Sequence, residues 1–165
     1  LKIGQNLSLT DKVIQKFELA LKKLCLNLAK QVVVDGEGAK KFITINVINA
    51  KSLGSAKKIA FSIANSPLVK TAVAGEDPNW GRIVMAIGKT NEQFILAKLK
   101  IKIGNNLVVK DGELAKRYSE YKTSRYMKNN EILIDIDLGV GSGFSSFWTC
   151  DLTQEYVRIN TDYRS

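Results

Sequence analysis

The chain has 165 residues, of which 45% are hydrophobic, and this is enough to bury a core as one domain or as two small lobes. It contains no histidine, which excludes a Ser-His-Asp triad and the common zinc sites, and no apolar run approaches the ~20 residues that span a bilayer. The formal net charge of +9 comes from lysines that are scattered among acidic residues. That spacing is typical of a solvated surface, and we expect no metal, no nucleic-acid partner and no membrane partner.

The N-terminal segment predicts a long amphipathic helix. Apolar side chains recur at three- and four-residue steps over residues 13–28, so the helix should begin after Ser8 and Thr10 and end near Val33. Cys25 lies on the apolar face of this helix, and we expect it to be a buried, reduced thiol. A reduced cysteine fits a cytoplasmic protein.

A strand and a second helix are predicted next. Residues 42–49 alternate apolar and polar side chains, as a half-buried strand does. Residues 56–64 carry an alanine at every fourth position, which would let a helix pack closely on a sheet. After a turn at Pro67, residues 69–74 are interpreted as a strand, whereas periodicity does not decide between a helix and a strand for residues 83–88.

The remaining residues predict a hairpin, a helix and three more strands. The hairpin would pair residues 99–103 with residues 107–109, and the amphipathic helix would cover residues 114–129. The three further strands are predicted at residues 132–138, at residues 144–150, with Cys150 as a second buried thiol, and at residues 156–160. Helices and hairpin-linked strands indicate an α+β fold. The sequence pattern changes near residue 90, and we expect two lobes there, residues 1–90 and 91–165.

One short motif could carry a binding site. Asp35-Gly36-Glu37-Gly38 follows the first predicted helix, and the two glycines would let a ligand approach the Glu37 carboxylate, which suits a substrate ammonium group. From the residues alone, a helix-terminating turn with an exposed glutamate is the favoured interpretation. A near copy, Asp111-Gly112-Glu113, lacks the second glycine and is better explained as a hairpin exit or the first turn of a helix.

The segment Gly75-Glu76-Asp77-Pro78-Asn79-Trp80-Gly81-Arg82 admits two interpretations. Its carboxylates and Arg82 could bind a zwitterionic substrate, with the guanidinium paired to a carboxylate. Alternatively, Asp77-Pro78-Asn79 forms a turn that caps a helix starting at Trp80, while Arg82 pairs with Glu76 or Asp77 and the indole anchors the loop in the core. We prefer the second, structural interpretation.

Four blocks of this sequence together resemble one family. The blocks are Asn65-Ser66-Pro67-Leu68-Val69-Lys70-Thr71-Ala72, the segment 75–82, Trp148-Thr149-Cys150-Asp151-Leu152-Thr153 and residues 156–165. They resemble, in the same order, blocks of the ornithine acetyltransferase family of arginine biosynthesis, also called glutamate N-acetyltransferase. The resemblance implies the C-terminal part of the family's β subunit, with the remainder of an N-terminal-nucleophile-like α/β sandwich in residues 1–90 and a smaller α+β lobe in residues 91–165.

The resemblance also implies which residues bind substrate. The family has a substrate-binding Glu in the motif that Glu37 matches, and its other substrate-binding positions are matched by Asn160 and Ser165. Family members often end in Thr where this chain has Ser, which keeps the hydroxyl and removes a methyl group. The family's nucleophile is a threonine exposed by self-cleavage, and no residue of this chain matches it. We therefore assign no catalytic residue here and expect the chain alone to be inactive.

The implied reaction is ping-pong transfer of an acetyl group from N-acetylornithine to glutamate through an acetyl-enzyme. The implied partners are the upstream α chain and the N-terminal part of the β chain, in a cytoplasmic α2β2 heterotetramer. No cofactor is implied, although acetyl-CoA is a candidate co-substrate that these residues do not decide.

Two other functions remain open on the sequence. A non-catalytic basic module could use the lysine-rich residues 98–102 against nucleic acid, although no aromatic side chain lies among them to stack on bases. A related self-processing N-terminal-nucleophile peptidase is less favoured, because the terminal blocks resemble the acetyltransferases more closely.

Overall fold

The computed structural model of the protein describes residues 12–163. The helices of this part of the chain are α1 (Lys12–Val34), α2 (Leu53–Ala64), α3 (Pro67–Ala74), α4 (Trp80–Gly88), α5 (Glu120–Met127) and α6 (Gln154–Asp162). Its strands are β1 (Phe42–Ala50), β2 (Lys100–Ile103), β3 (Asn106–Lys110), β4 (Glu113–Leu114), β5 (Glu131–Asp137) and β6 (Gly143–Cys150). A short 3₁₀ helix (Leu96–Lys98) precedes β2.

The strands form one mixed sheet in the order β4-β3-β2-β5-β1-β6. β1 is parallel to β5 and antiparallel to β6, and the other neighbouring pairs are antiparallel. The predicted α+β class is therefore confirmed. The sheet extends across the predicted boundary near residue 90, because β1 lies between two strands from the second half of the chain. The division into residues 1–90 and 91–165 stays a prediction.

The core lies on one face of this sheet. In β1, Ile43, Ile45 and Val47 are fully buried, and the residues between them are half-buried, as the alternating pattern predicted. α2 and α4 cover this face. Their largest buried side chains are Ile59, Ile63, Ile83 and Ile87. Burial of these branched side chains stabilises the packing of the helices on the sheet.

The long helix α1 is much less buried than the sequence suggested. It meets the sheet near β6, where the Lys30 ammonium lies 4.9 Å from the centre of the Trp148 ring. No residue of α1 is buried, and Phe17 and Val32 are 66% and 75% exposed. The prediction that Cys25 is a buried core residue is therefore wrong, since it is exposed. An apolar face predicts a helix, but it does not show whether another part of the protein covers that face.

Two short segments predicted as strands are helices. Residues 69–74 belong to α3, which begins after Ser66, whose hydroxyl accepts a hydrogen bond from the backbone N–H of Val69, and has Pro67 in its first turn. Residues 156–160 belong to α6. In both segments a short run was compatible with either structure. For α3 the Ser66 cap decides for a helix, whereas the Thr153 side chain before α6 makes no capping hydrogen bond.

Two further predictions are adjusted by the structure. Residues 83–88, which periodicity left open, are helical in α4. The helix predicted over residues 114–129 is shorter, because Glu113–Leu114 pair with β3 as β4 and the helix starts only after its cap at Ser119. The predicted start of α1 near Ser8 and Thr10 lies outside the described residues. No helix within residues 12–163 is long and apolar enough to cross a membrane.

Candidate functional site

The loop that carries Glu37 begins where α1 ends. The backbone N–H of Asp35 still donates to the carbonyl of Gln31 at 2.9 Å, and the N–H of Ala39 then donates to the carbonyl of Gly36, which closes a tight turn. Gly38 adopts a φ of +67°, a conformation that side chains disfavour. Glu37 sits at the tip of this turn with an exposed side chain. The structure thus has the helix-terminating turn that the residues predicted.

This turn lies against the segment that joins β6 to α6. A Cβ atom on Gly36 would lie 3.0 Å from the sulfur of Cys150, and a Cβ atom on Gly38 would lie 2.7 Å from the backbone nitrogen of Tyr156. Gly36 therefore lets the turn pack on the side chain of Cys150, and Gly38 permits a close approach to the backbone at the start of α6, more than a hundred residues away. Cys150 is half-buried by this contact rather than fully buried as predicted.

The close approach brings Glu37 to Asn160. Asn160 lies in the second turn of α6, and its side-chain amide donates to Oε2 of Glu37 at 2.8 Å and to the backbone carbonyl of Tyr156 at 2.8 Å. The two residues are separated by 123 positions in the chain. Two of the three predicted substrate-binding residues are thus adjacent on the surface. The third, Ser165, lies outside the described residues.

Two polar residues that were not singled out as site residues hold the turn in place. Asp151 is only 3% exposed, and its Oδ1 accepts hydrogen bonds from the backbone N–H groups of Lys40 at 2.8 Å and Lys41 at 2.9 Å. The Thr153 hydroxyl donates to the carbonyl of Gly38 at 2.7 Å. The sequence shows only that two polar residues follow an apolar strand. It does not reveal which distant backbone groups they contact.

A cavity of about 670 Å³ lies beside this arrangement, between the C-terminal end of α3 and the start of α6. Its lining includes Lys40, Thr71, Thr153 and Glu155. A hydrogen bond from the Arg158 guanidinium, at 2.9 Å from its Nε atom, holds the pKa of Glu155 below its usual value, and the charges of Arg158 and Lys40 act in the same direction. Glu155 is therefore ionised at neutral pH.

The segment 75–82 has a structural role in this fold. The Asn79 side chain caps α4 by accepting from the backbone N–H of Arg82 at 3.3 Å, and Trp80 packs half-buried against the core, as the second interpretation predicted. The predicted partner of Arg82 was wrong. Its guanidinium donates to the carbonyl of Leu68 at 2.8 Å and to the hydroxyl of Thr71 at 3.2 Å, both in α3.

Glu76 has a different partner from the one predicted. It adopts a φ of +58°, and its carboxylate lies 3.4 Å from the ammonium of Lys41. That ammonium, in a side chain that is 8% exposed, also donates to the carbonyls of Met127 at 2.8 Å and Asn129 at 3.2 Å. A buried lysine needs such partners, so Lys41 ties the segment 75–82 to the end of α5.

The near copy of the motif is part of a hairpin, one of its two predicted settings. Asp111 and Gly112 form the turn between β3 and β4, with φ values of +54° and +81°, and Glu113 opens β4 with an exposed side chain. No residue comparable to Asn160 donates a hydrogen bond to Glu113 within residues 12–163. The two Asp-Gly-Glu sequences therefore have different environments.

The lysine-rich segment has acidic neighbours on the sheet. Lys100 lies 3.6 Å from the carboxylate of Asp137, and Lys102 stands opposite Asp135 in the register of β2 and β5. This pairing reduces the positive potential that a nucleic-acid interface would need. Among residues 12–163 there is also no group of three or more histidine, cysteine or acidic residues arranged to hold a metal ion.

Comparison with known proteins connects this geometry to one family. The model of the ArgJ family matches residues 3–165. The chain is 56% identical over 155 residues to the arginine biosynthesis bifunctional protein ArgJ of Brucella suis, covering 94% of this chain and 38% of that protein. It is 51% identical over 155 residues to the protein of the same name from Caulobacter vibrioides, with the same coverage. The chain thus spans about two fifths of the length of these curated relatives.

A solved structure gives the same relationship. The crystal structure of the arginine biosynthesis bifunctional protein ArgJ from Bacillus halodurans superimposes with a TM-score of 0.91 at 37% sequence identity. The match covers 97% of this chain and 75% of that one. At this identity and coverage, the arrangement of helices and strands described above is shared by the two proteins.

Proposed function

The chain belongs to the ArgJ family, and on that premise we propose that it is the C-terminal part of the β subunit of an acetyltransferase of arginine biosynthesis. The complete enzyme would move the acetyl group from N-acetylornithine to glutamate. This chain would contribute scaffold and substrate-binding residues. The catalytic residues would lie in the part of the relatives' sequence that this chain does not cover.

The observation that carries the proposal is the hydrogen bond between Asn160 and Glu37. An exposed carboxylate can form a charge-assisted hydrogen bond with the ammonium group of an amino-acid substrate. Asn160 uses both of its amide hydrogens, on Glu37 and on the carbonyl of Tyr156. Its side-chain oxygen would then accept a further hydrogen bond from the substrate. We propose Ser165 as the third substrate-binding residue, on the family resemblance alone.

The proposed reaction proceeds in two halves. A threonine nucleophile exposed by self-cleavage in the upstream sequence would take the acetyl group from N-acetylornithine and pass it to glutamate. The α chain and the N-terminal part of the β chain would complete the site in a cytoplasmic α2β2 heterotetramer. Acetyl-CoA is a candidate second acetyl donor, and the chain by itself is expected to be inactive. The buried Lys41 and the capped α4 support a scaffold role for the intervening residues.

The test is acetyl transfer from N-acetylornithine to glutamate, measured for this chain alone and for the same chain joined to its upstream α and β sequence. Transfer only in the completed, self-cleaved protein is the expected result. A completed protein that folds and cleaves itself but transfers no acetyl group would overturn the proposed function. Transfer by the chain alone would overturn the assignment of the nucleophile to the upstream sequence.

A further inference from the structure

We propose that Asp151 and Thr153 are positioning residues that hold the Glu37 turn against α6, so that the Glu37 carboxylate and the Asn160 amide stay within hydrogen-bond distance. The inference rests on the proposed function, since it concerns how that site is kept in shape. It assigns a role to the two polar residues that end the block Trp148-Thr149-Cys150-Asp151-Leu152-Thr153.

Asp151 fixes the base of the turn. A single carboxylate oxygen accepts the backbone N–H groups of Lys40 and Lys41, and the N–H of Asp151 donates in return to the carbonyl of Lys41 at 3.2 Å. The other oxygen, Oδ2, is buried and has no hydrogen-bond partner within the described residues. Burying a carboxylate in this way costs free energy, so the two charge-assisted hydrogen bonds must outweigh that cost.

Thr153 fixes the tip of the turn. Its hydroxyl donates to the carbonyl of Gly38, the residue directly after Glu37, at 2.7 Å. Thr153 is also the residue that precedes α6, and its side chain makes no hydrogen bond to the backbone of that helix. A threonine at this position commonly caps its own helix. Here the hydroxyl is used instead to join α6 to the turn.

These contacts matter for the site because Glu37 and Asn160 are both exposed. Because both side chains are exposed within residues 12–163, the position of the backbone beneath each one sets the distance between them. A binding group displaced by about 1 Å loses much of its contribution. Asp151 and Thr153 act on that backbone at two points, and within residues 12–163 neither forms a hydrogen bond with the Glu37 carboxylate.

The experiment uses the complete, self-cleaved protein and the variant Thr153→Val, which keeps the shape of the side chain and removes the hydrogen bond. KM for N-acetylornithine is expected to rise about five- to tenfold with kcat changed less than about twofold. Thr153→Ser should restore KM. The matched control is Ser62→Ala, because Ser62 also donates a 2.7 Å hydrogen bond to a backbone carbonyl, that of Ala86, but joins α2 to α4. Its KM should stay unchanged.

A double-mutant cycle separates positioning from general stability. If Thr153 acts through Glu37, Thr153→Val should raise KM in the wild-type background and have no further effect in the Glu37→Gln background. An equal penalty in both backgrounds, or an unchanged KM in the single variant, would overturn the proposal.

Hydrogen exchange of the backbone amides of residues 35–41 distinguishes failure of this inference from failure of the proposed function. Faster exchange in Thr153→Val than in Ser62→Ala is expected. If the wild-type protein transfers no acetyl group, the proposed function fails whatever the exchange shows. If transfer is present but exchange of residues 35–41 is the same in both variants, the positioning role fails and the proposed function stands.

Discussion

The side-chain amide of Asn160 donates a 2.8 Å hydrogen bond to the carboxylate of Glu37, although 123 positions separate the two residues in the chain. The turn that carries Glu37 can approach α6 this closely only because Gly38 has no side chain to collide with the backbone of Tyr156. A carboxylate and an amide are therefore placed together on the surface by a contact between two backbones. The carboxylate, the amide and the glycine can each be altered by a separate substitution.

Replacing Glu37 with Gln in the complete protein should weaken binding of the amino-acid substrates. The change keeps the size of the side chain and removes its charge, so a charge-assisted contact of about 2 kcal/mol, or roughly 30-fold in KM, is lost. Steady-state kinetics with N-acetylornithine and glutamate measure the effect. Glu113→Gln is the matched control, since Glu113 follows the same Asp-Gly dipeptide in the β3–β4 turn. Equal kinetics for both variants would remove Glu37 from the site.

Replacing Asn160 with Ala should free the Glu37 side chain to rotate. We expect KM for N-acetylornithine to rise about five- to tenfold, which is less than for Glu37→Gln because the charge remains. Asn65→Ala is the control, since Asn65 also donates from its side chain to the carbonyl four residues earlier, that of Phe61, but donates to no carboxylate within residues 12–163. An Asn160→Ala variant whose KM matches that of Asn65→Ala would show that the amide does not orient Glu37.

Replacing Gly38 with Ala should destabilise the fold itself. The added Cβ would lie 2.7 Å from the backbone nitrogen of Tyr156, and a φ of +67° is unfavourable for alanine, so we expect a loss of about 1–3 kcal/mol. Gly88→Ala is the control, since nothing lies within 4 Å of its added Cβ and it lies in a helix, where alanine is preferred. Urea unfolding of both variants measures the difference, and equal midpoints would contradict the close approach.

Much of the fold could be predicted because its signals are local. β1 and β5 show a buried residue at every second position, and the sequence alternates in the same way. The strands expected at residues 69–74 and 156–160 are helices because a run of five or six apolar and polar residues fits both periods. At residues 69–74 the Ser66-Pro67 pair fits both a turn and the start of a helix, and in the structure it starts α3.

The site was less accessible to sequence reasoning. The residues alone favoured an ordinary turn at Glu37, and only the family resemblance selected Glu37 and Asn160. Nothing local connects Asp151 to Lys40 or Thr153 to Gly38, because each bond joins positions more than a hundred residues apart. Burial of α1 was overestimated for a related reason. Apolar periodicity shows which face of a helix is suited to burial. It does not show what covers that face, and the described residues leave Phe17 exposed.

Acid should weaken the start of α6 through Glu155. The hydrogen bond from Arg158 lowers the folded-state pKa of Glu155, so the pair contributes stability above the ordinary pKa of a glutamate and loses it as pH falls through the lowered value. Glu155→Gln should therefore be less stable than the wild type at pH 7, and the difference should shrink at an acid pH below the lowered pKa. The effect is small because the pair is exposed. Urea unfolding at the two pH values measures it, and a difference that persists in acid would contradict the pairing.

The chain by itself should self-associate through α1. Phe17 and Leu24 are seven residues apart, so they lie on the same side of the helix, and they are 66% and 55% exposed. Replacing both with Lys should shift the chain toward the monomer in sedimentation velocity at increasing concentration. Phe144→Lys is the control, since Phe144 is 54% exposed and belongs to β6 rather than to α1. If association persists in the double variant and is lost in the control, the contact between copies lies on the sheet instead of on α1.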